Sequence, residues 1–201
     1  MKIRQGFVSN SSSSSFILID HAFSLLDNKE YKRDFENFRS WLDEHVYWSK
    51  ERQAYFFRYV PDSEFGWEQT LYNDWWEKFD FMLLQVKLTG RSDEEYGKHH
   101  ESLLAWFQQF DPSIKHIIIP EEYTDEDSGI EYHIGYIDHQ SVGDENLSML
   151  ESVDTINKFI FSEKSYILNG NDNSDRRWDT SGDTPVLKDY DDIDWGAQKR
   201  C

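Results

Sequence analysis

At 201 residues the chain is long enough for one domain with a hydrophobic core and barely long enough for two small ones. Its 39 Asp and Glu stand against 21 Lys and Arg, a formal charge of −18 that repels phosphate backbones. That balance argues against direct nucleic-acid binding and favours a partner protein with a basic surface. Hydrophobic residues make up only 38%, but 16% aromatics, with 8 Trp, restore burial capacity because each ring removes a large apolar area from water.

The one cysteine, Cys201, allows no intrachain disulfide. No apolar run reaches the length of a signal peptide or a membrane span, so the expected location is the cytoplasm, with no membrane contact.

The N-terminal stretch reads as strand, polar loop, strand: Lys2 to Val8, Ser9 to Ser15, then the apolar Phe16 to Ile19. The serine run reads either as a flexible linker or as an ordered hydroxyl-rich turn. From Asp27 the spacing turns helical, with Tyr31, Phe35, Phe38, Leu42 and Val46 on one face and Asp27 or Asn28 as cap. A second helix is expected over Thr70 to Leu88, after the breaker stretch Pro61 to Gly66. A third runs from Ser92 to Phe110. Ser92 and Glu95 form its capping box, Tyr96, His100, Leu103, Leu104 and Phe107 its apolar stripe, and Asp111-Pro112 its stop. His100, on that stripe, reads as a core histidine.

Beyond Pro112 the β-branched run Ile114 to Ile119 reads as a strand stopped by Pro120, followed by a charged loop, Glu121 to Gly129, and a strand over Ile130 to Ile137. Leu147, Leu150, Val153, Ile156 and Ile160 recur at helical spacing, and Ser165 to Leu168 forms a last strand. Residues 1–168 thus read as a single α+β domain, a mixed sheet from N-terminal and C-terminal strands packed with about four helices. Residues 169–201, rich in Asp, Asn and Gly, read as a surface loop or a partly disordered acidic tail.

The opening MKIRQGFVSNSSSSSFI resembles that of a scattered group of uncharacterised phage and bacterial proteins beginning K-x-R-x-G-F-V-S-N-S-S-S-S-S-F. The segments Tyr136 to Ser141 and Ile167 to Asn173 also look like pieces of that group. The resemblance implies a phage or mobile-element protein acting in a bacterial cytoplasm and assigns no residue roles.

Two constellations could carry chemistry. Apolar runs end in Asp20-His21, in Asp138-His139 and in Asn171-Asp172-Asn173. Carboxylates and imidazoles at the C-terminal ends of neighbouring strands hold divalent metals in many α/β proteins, where the metal activates water against a phosphoester. Asp20, His21, Asp138, His139 and Asp172 are therefore candidate metal ligands of a phosphoesterase or related hydrolase. The same residue types also simply turn the chain after a strand. The phrase IDHQ from Ile137 is loosely similar to the IDHH element of the DHH phosphoesterases, without its second His. Ser11, Ser12 and Ser13 offer hydroxyls to a phosphate but lack the Gly, Lys and helix start of a P-loop.

The second constellation is the acidity itself, concentrated at Glu121, Glu122, Asp125, Glu126 and Asp127 and again at Asp189, Asp191, Asp192 and Asp194 beside Trp195. With Trp41, Trp48, Trp67, Trp75 and Trp76, which read as core or as interface hot spots, these residues point to protein binding. The leading expectation is an acidic accessory protein that occupies a basic surface on a host protein, imitating phosphate spacing and inhibiting or modulating that partner. No cofactor is expected on that reading; a divalent metal belongs to the hydrolase alternative.

Overall fold

A computed structural model describes residues 13–24, 29–66, 69–89, 93–124, 129–137, 144–171, 174–182 and 184–193. The fold is α+β, with helices and small sheets alternating along the chain. β1 (Ser13–Leu18) lies antiparallel to β10 (Tyr166–Asn171), which also pairs with β5 (Leu71–Tyr72). A second sheet sets β3 (Ala54–Arg58) between antiparallel β2 (Val46–Ser49) and parallel β6 (Ile114–Ile118). Among the described residues there are three further strand pairs. They are β4 (Glu64–Phe65) with β9 (Tyr136–Ile137), β7 (Glu122–Thr124) with β8 (Glu131–His133), and β11 (Arg176–Asp179) with β12 (Val186–Asp189).

The helices are α1 (Lys29–Glu44), α2 (Trp75–Thr89), α3 (Asp93–Phe107) and α4 (Val153–Phe161). α2 is the centre of the molecule: every residue from Lys78 to Val86 is buried, as expected of a helix enclosed on all sides rather than amphipathic. Around it Phe38 of α1, Leu103, Trp106 and Phe107 of α3, and Ile156, Phe159 and Ile160 of α4 are fully excluded from water. Phe38 sits with its ring centroid 4.9 Å from those of Trp106 and Phe110 and 5.2 Å from that of Phe79, so the core is held by aromatic packing.

Several expected elements are divided by contacts distant in sequence. α1 stops at Glu44, and Val46, expected on its face, instead starts β2 opposite Phe57. Leu71 and Tyr72 pair with Leu168 and Ile167, so α2 begins only at Trp75, where Asp74 Oδ1 accepts the Trp76 N–H at 2.8 Å. The expected strand Ile130 to Ile137 breaks into β8 and β9 at Gly135, whose N–H reaches Pro61 O at 2.7 Å. A Cβ there would lie 2.0 Å from Ser63 O, which only glycine avoids. The helical spacing from Leu147 to Ile160 resolves into a 3-10 segment, Asp144–Leu150, and α4, capped by Ser152 Oγ accepting the Thr155 N–H at 3.1 Å.

Two polar stretches form strands where they are described. Ser13 to Ser15, expected as linker or turn, are strand residues facing Asn171, Gly170 and Asn169, and the buried Ser15 hydroxyl donates to Asn169 Oδ1. Beyond Asn169, expected as loop or tail, β10 continues to Asn171 and the β11–β12 hairpin follows. Trp178 Nε1 ties that hairpin back to Asn169 O at 2.7 Å. Among the described residues no helix is long and apolar enough to cross a membrane.

Candidate functional site

Asp20 and His21 follow β1, and the Asp20 carboxylate is engaged locally. It accepts the Ala22 N–H at 3.1 Å and the Ser162 hydroxyl at 2.8 Å, while the Asp20 N–H donates to Ser165 Oγ at 2.8 Å. Asp20 therefore fastens the end of β1 to the turn between α4 and β10; His21 is exposed. Asp138, His139 and Asp172 lie outside the described residues. The strands leading to the three candidate positions do not share an edge: β1 and β10 are antiparallel, so Asn171 pairs with Ser13 at the far end of β1 from Asp20, and β9 belongs to another sheet. Among the described residues no three His, Cys, Asp or Glu side chains group as a metal site. Ser11 and Ser12 also fall outside the described residues, and Ser13 is a strand residue of β1.

Of the acidic candidates, Glu121 and Glu122 are exposed at the start of β7, Glu121 lying 3.9 Å from Lys87 Nζ. Asp189 ends β12, 3.7 Å from Arg176 Nε, and Asp191 and Asp192 are exposed beside it. Asp125, Glu126, Asp127, Asp194 and Trp195 lie outside the described residues. Of the Trp candidates, Trp41, Trp75 and Trp76 are half-buried in one ring cluster, Trp48 is 49% exposed, and Trp67 lies outside the described residues.

Among the described residues, Trp, Tyr and acidic side chains line an aromatic groove of about 660 Å³, within the size range of ligand pockets. One wall comes from the end of α1 (Trp41, Glu44 and the following His45), the strand exit Tyr59 to Asp62 and the first turn of α2 (Trp76). Trp41 and Trp76 meet edge to face at 4.8 Å and 88°, Trp41 and Tyr59 at 5.1 Å and 86°, and Tyr59 and Trp76 at 5.5 Å and 72°. Those contacts lock the rings. The β7–β8 hairpin contributes Tyr123 and Tyr132, directly paired and stacked at 6.2 Å and 24°. Tyr47 and Pro120 also line the groove.

Beneath the first wall lies Asp80, a carboxylate of α2 with no exposed surface. It accepts the Tyr59 phenol at 2.9 Å, and its other oxygen accepts both the N–H and the hydroxyl of Ser63. Burial is the main cause that pushes the Asp80 carboxyl up to about 6, against hydrogen bonds that lower it; burial and Asp80 together push the Tyr59 phenol well above its usual range. Asp80 thus pins the segment Tyr59 to Ser63 that forms the groove wall.

Two exposed carboxylates, Glu44 and Asp62, share the groove with Arg58. The Arg58 guanidinium carbon sits 5.0 Å from the Tyr123 ring centroid. π-Faces flanked by carboxylates suit a cationic group on an apolar stem.

Sequence reasoning found Trp41 and Trp76 but not Tyr59, Asp80, Tyr123 or Tyr132, because the groove is assembled from stretches far apart in the chain with no common spacing. The available signal was local: R-Y-V-P-D from Arg58 to Asp62, and tyrosines bracketing the acidic block at Tyr123 and Tyr132.

A second buried polar group, Lys78, donates from Nζ to Ser162 O at 2.8 Å and Ser165 O at 3.2 Å, closing the C-terminal end of α4. Its enclosure lowers the amine to about 7. Compared with known proteins, the chain matches no protein-family model, no curated protein and no solved structure.

Proposed function

We propose that this protein is an acidic accessory factor that binds and modulates a partner protein by receiving its basic surface in the groove between α1, α2 and the β7–β8 hairpin. The observation that supports it is the groove itself: interlocked Trp and Tyr rings beside Glu44 and Asp62, on a chain of net charge −18. Aromatic rings supply contact area at small entropic cost, and the carboxylates select positive charge and speed encounter. The partner fits a host-cell protein whose basic surface ordinarily meets phosphate, which dense carboxylates imitate. A phage or mobile-element origin enters this proposal on the opening motif alone.

The test is calorimetric titration of the full chain with a Lys/Arg-rich peptide and with an Asp/Glu-rich peptide of equal length, at low salt and at about 0.3 M salt. Binding of the basic peptide only, weakened by salt and by the double variant Glu44→Gln/Asp62→Asn, is expected. No binding, or binding that ignores the double variant, contradicts the proposal.

A further inference from the structure

Arg58 is the anomaly of the groove. It is exposed, it lines the same groove as Glu44 and Asp62, and among the described residues it makes no ion pair; its guanidinium rests on Tyr123 instead. We infer that the groove's occupant is an arginine side chain from an exposed basic segment of the partner protein, and that Arg58 holds that arginine's place in the unbound protein. This rests on the reading of the groove as the binding site for a basic partner.

Three features carry it. The Tyr123 ring accepts a guanidinium on its face in this structure, at a distance suited to cation–π attraction, and Tyr132 stacks beside it to fix its orientation. Glu44 and Asp62 line the same groove, so a second guanidinium arriving there meets carboxylates that Arg58 leaves without a bidentate partner. Arg58 ends β3 and its backbone N–H is fixed to His45 O at 3.0 Å, so only its side chain has to swing away. Arg58 is exposed, so rotation of its side chain is enough to uncover the Tyr123 face. An arginine already on the face competes with an incoming one and weakens binding, because the incoming group must displace it.

The experiment titrates the full chain with an N-acetylated oligo-arginine peptide, comparing wild type, Arg58→Gln and Arg52→Gln. Arg52 is the charge-matched control: its guanidinium lies 5.5 Å from the Phe56 ring, outside the groove. Arg58→Gln should tighten binding by roughly twofold to fivefold beyond any gain in Arg52→Gln, the size of one exposed cation–π contact. Tyr123→Leu should weaken it, with thermal melts checking that each variant is folded. Equal gains in the two arginine variants, or weaker binding by Arg58→Gln, overturn the placeholder role while leaving the groove as binding site. Failure of the peptide to bind wild type, or indifference to Glu44→Gln/Asp62→Asn, overturns the underlying site instead.

Discussion

The Tyr59 hydroxyl donates a hydrogen bond to Asp80 Oδ1 at 2.9 Å, joining a ring of the groove wall to a carboxylate that water does not reach. The bond connects the centre of the core to the surface proposed to bind, because α2 supplies the carboxylate and Tyr59 lines the groove.

The Asp80 carboxyl, raised to about 6, binds a proton in the folded chain that the unfolded chain releases near pH 4, so stability falls as pH rises between those values. Asp80→Asn removes this dependence. Urea unfolding at pH 4.5 and pH 7 should show wild type losing about 2 kcal/mol relative to the variant over that interval. A constant difference between the two proteins would contradict the assignment.

Lys78 predicts the opposite slope at higher pH. Its amine titrates at about 7 when folded and near its ordinary value when unfolded, so the unfolded chain holds the extra proton between those limits and stability rises with pH there. Lys78→Met should lack a rise of up to about 1.4 kcal/mol per pH unit, read from urea melts at pH 7, 8 and 9. Parallel curves for the two proteins would show that the amine is not protonated differently on folding.

Phe38 is the keystone of the aromatic core. Phe38→Ala leaves a cavity among Phe79, Trp106 and Phe110 and should cost about 3–5 kcal/mol in denaturant unfolding. A loss below about 1 kcal/mol would mean that the cluster repacks freely.

The parts of this architecture legible in the sequence are those written in local periodicity. Phe35, Phe38 and Leu42 on α1, Leu103 and Phe107 on α3, and the β-branched run of β6 announce themselves by spacing and fall where expected. Strands of two or three residues leave no periodic trace. β5 exists because Leu71 and Tyr72 meet β10 about a hundred positions away, and β4 because Glu64 and Phe65 meet β9. At Asp20 the local half of the role was legible: its carboxylate turns the chain after the strand by accepting the Ala22 N–H, whereas its distant partner Ser162 leaves no trace in the pattern. The groove was hidden for the same reason. Trp41 and Trp76 were visible as aromatics, while their edge-to-face geometry and the Asp80 anchor beneath Tyr59 arise only from tertiary packing.

On the proposed function it is the groove, rather than acidity in general, that receives the basic partner. The most direct measurement is hydrogen exchange read by mass spectrometry on the full chain with and without the basic peptide. Slowed exchange is expected at the end of α1, from Tyr59 to Ser63 and across β7 and β8, with the acidic stretch Asp189 to Asp192 unchanged. Protection confined to Asp189 to Asp192, with none along the groove, would contradict it.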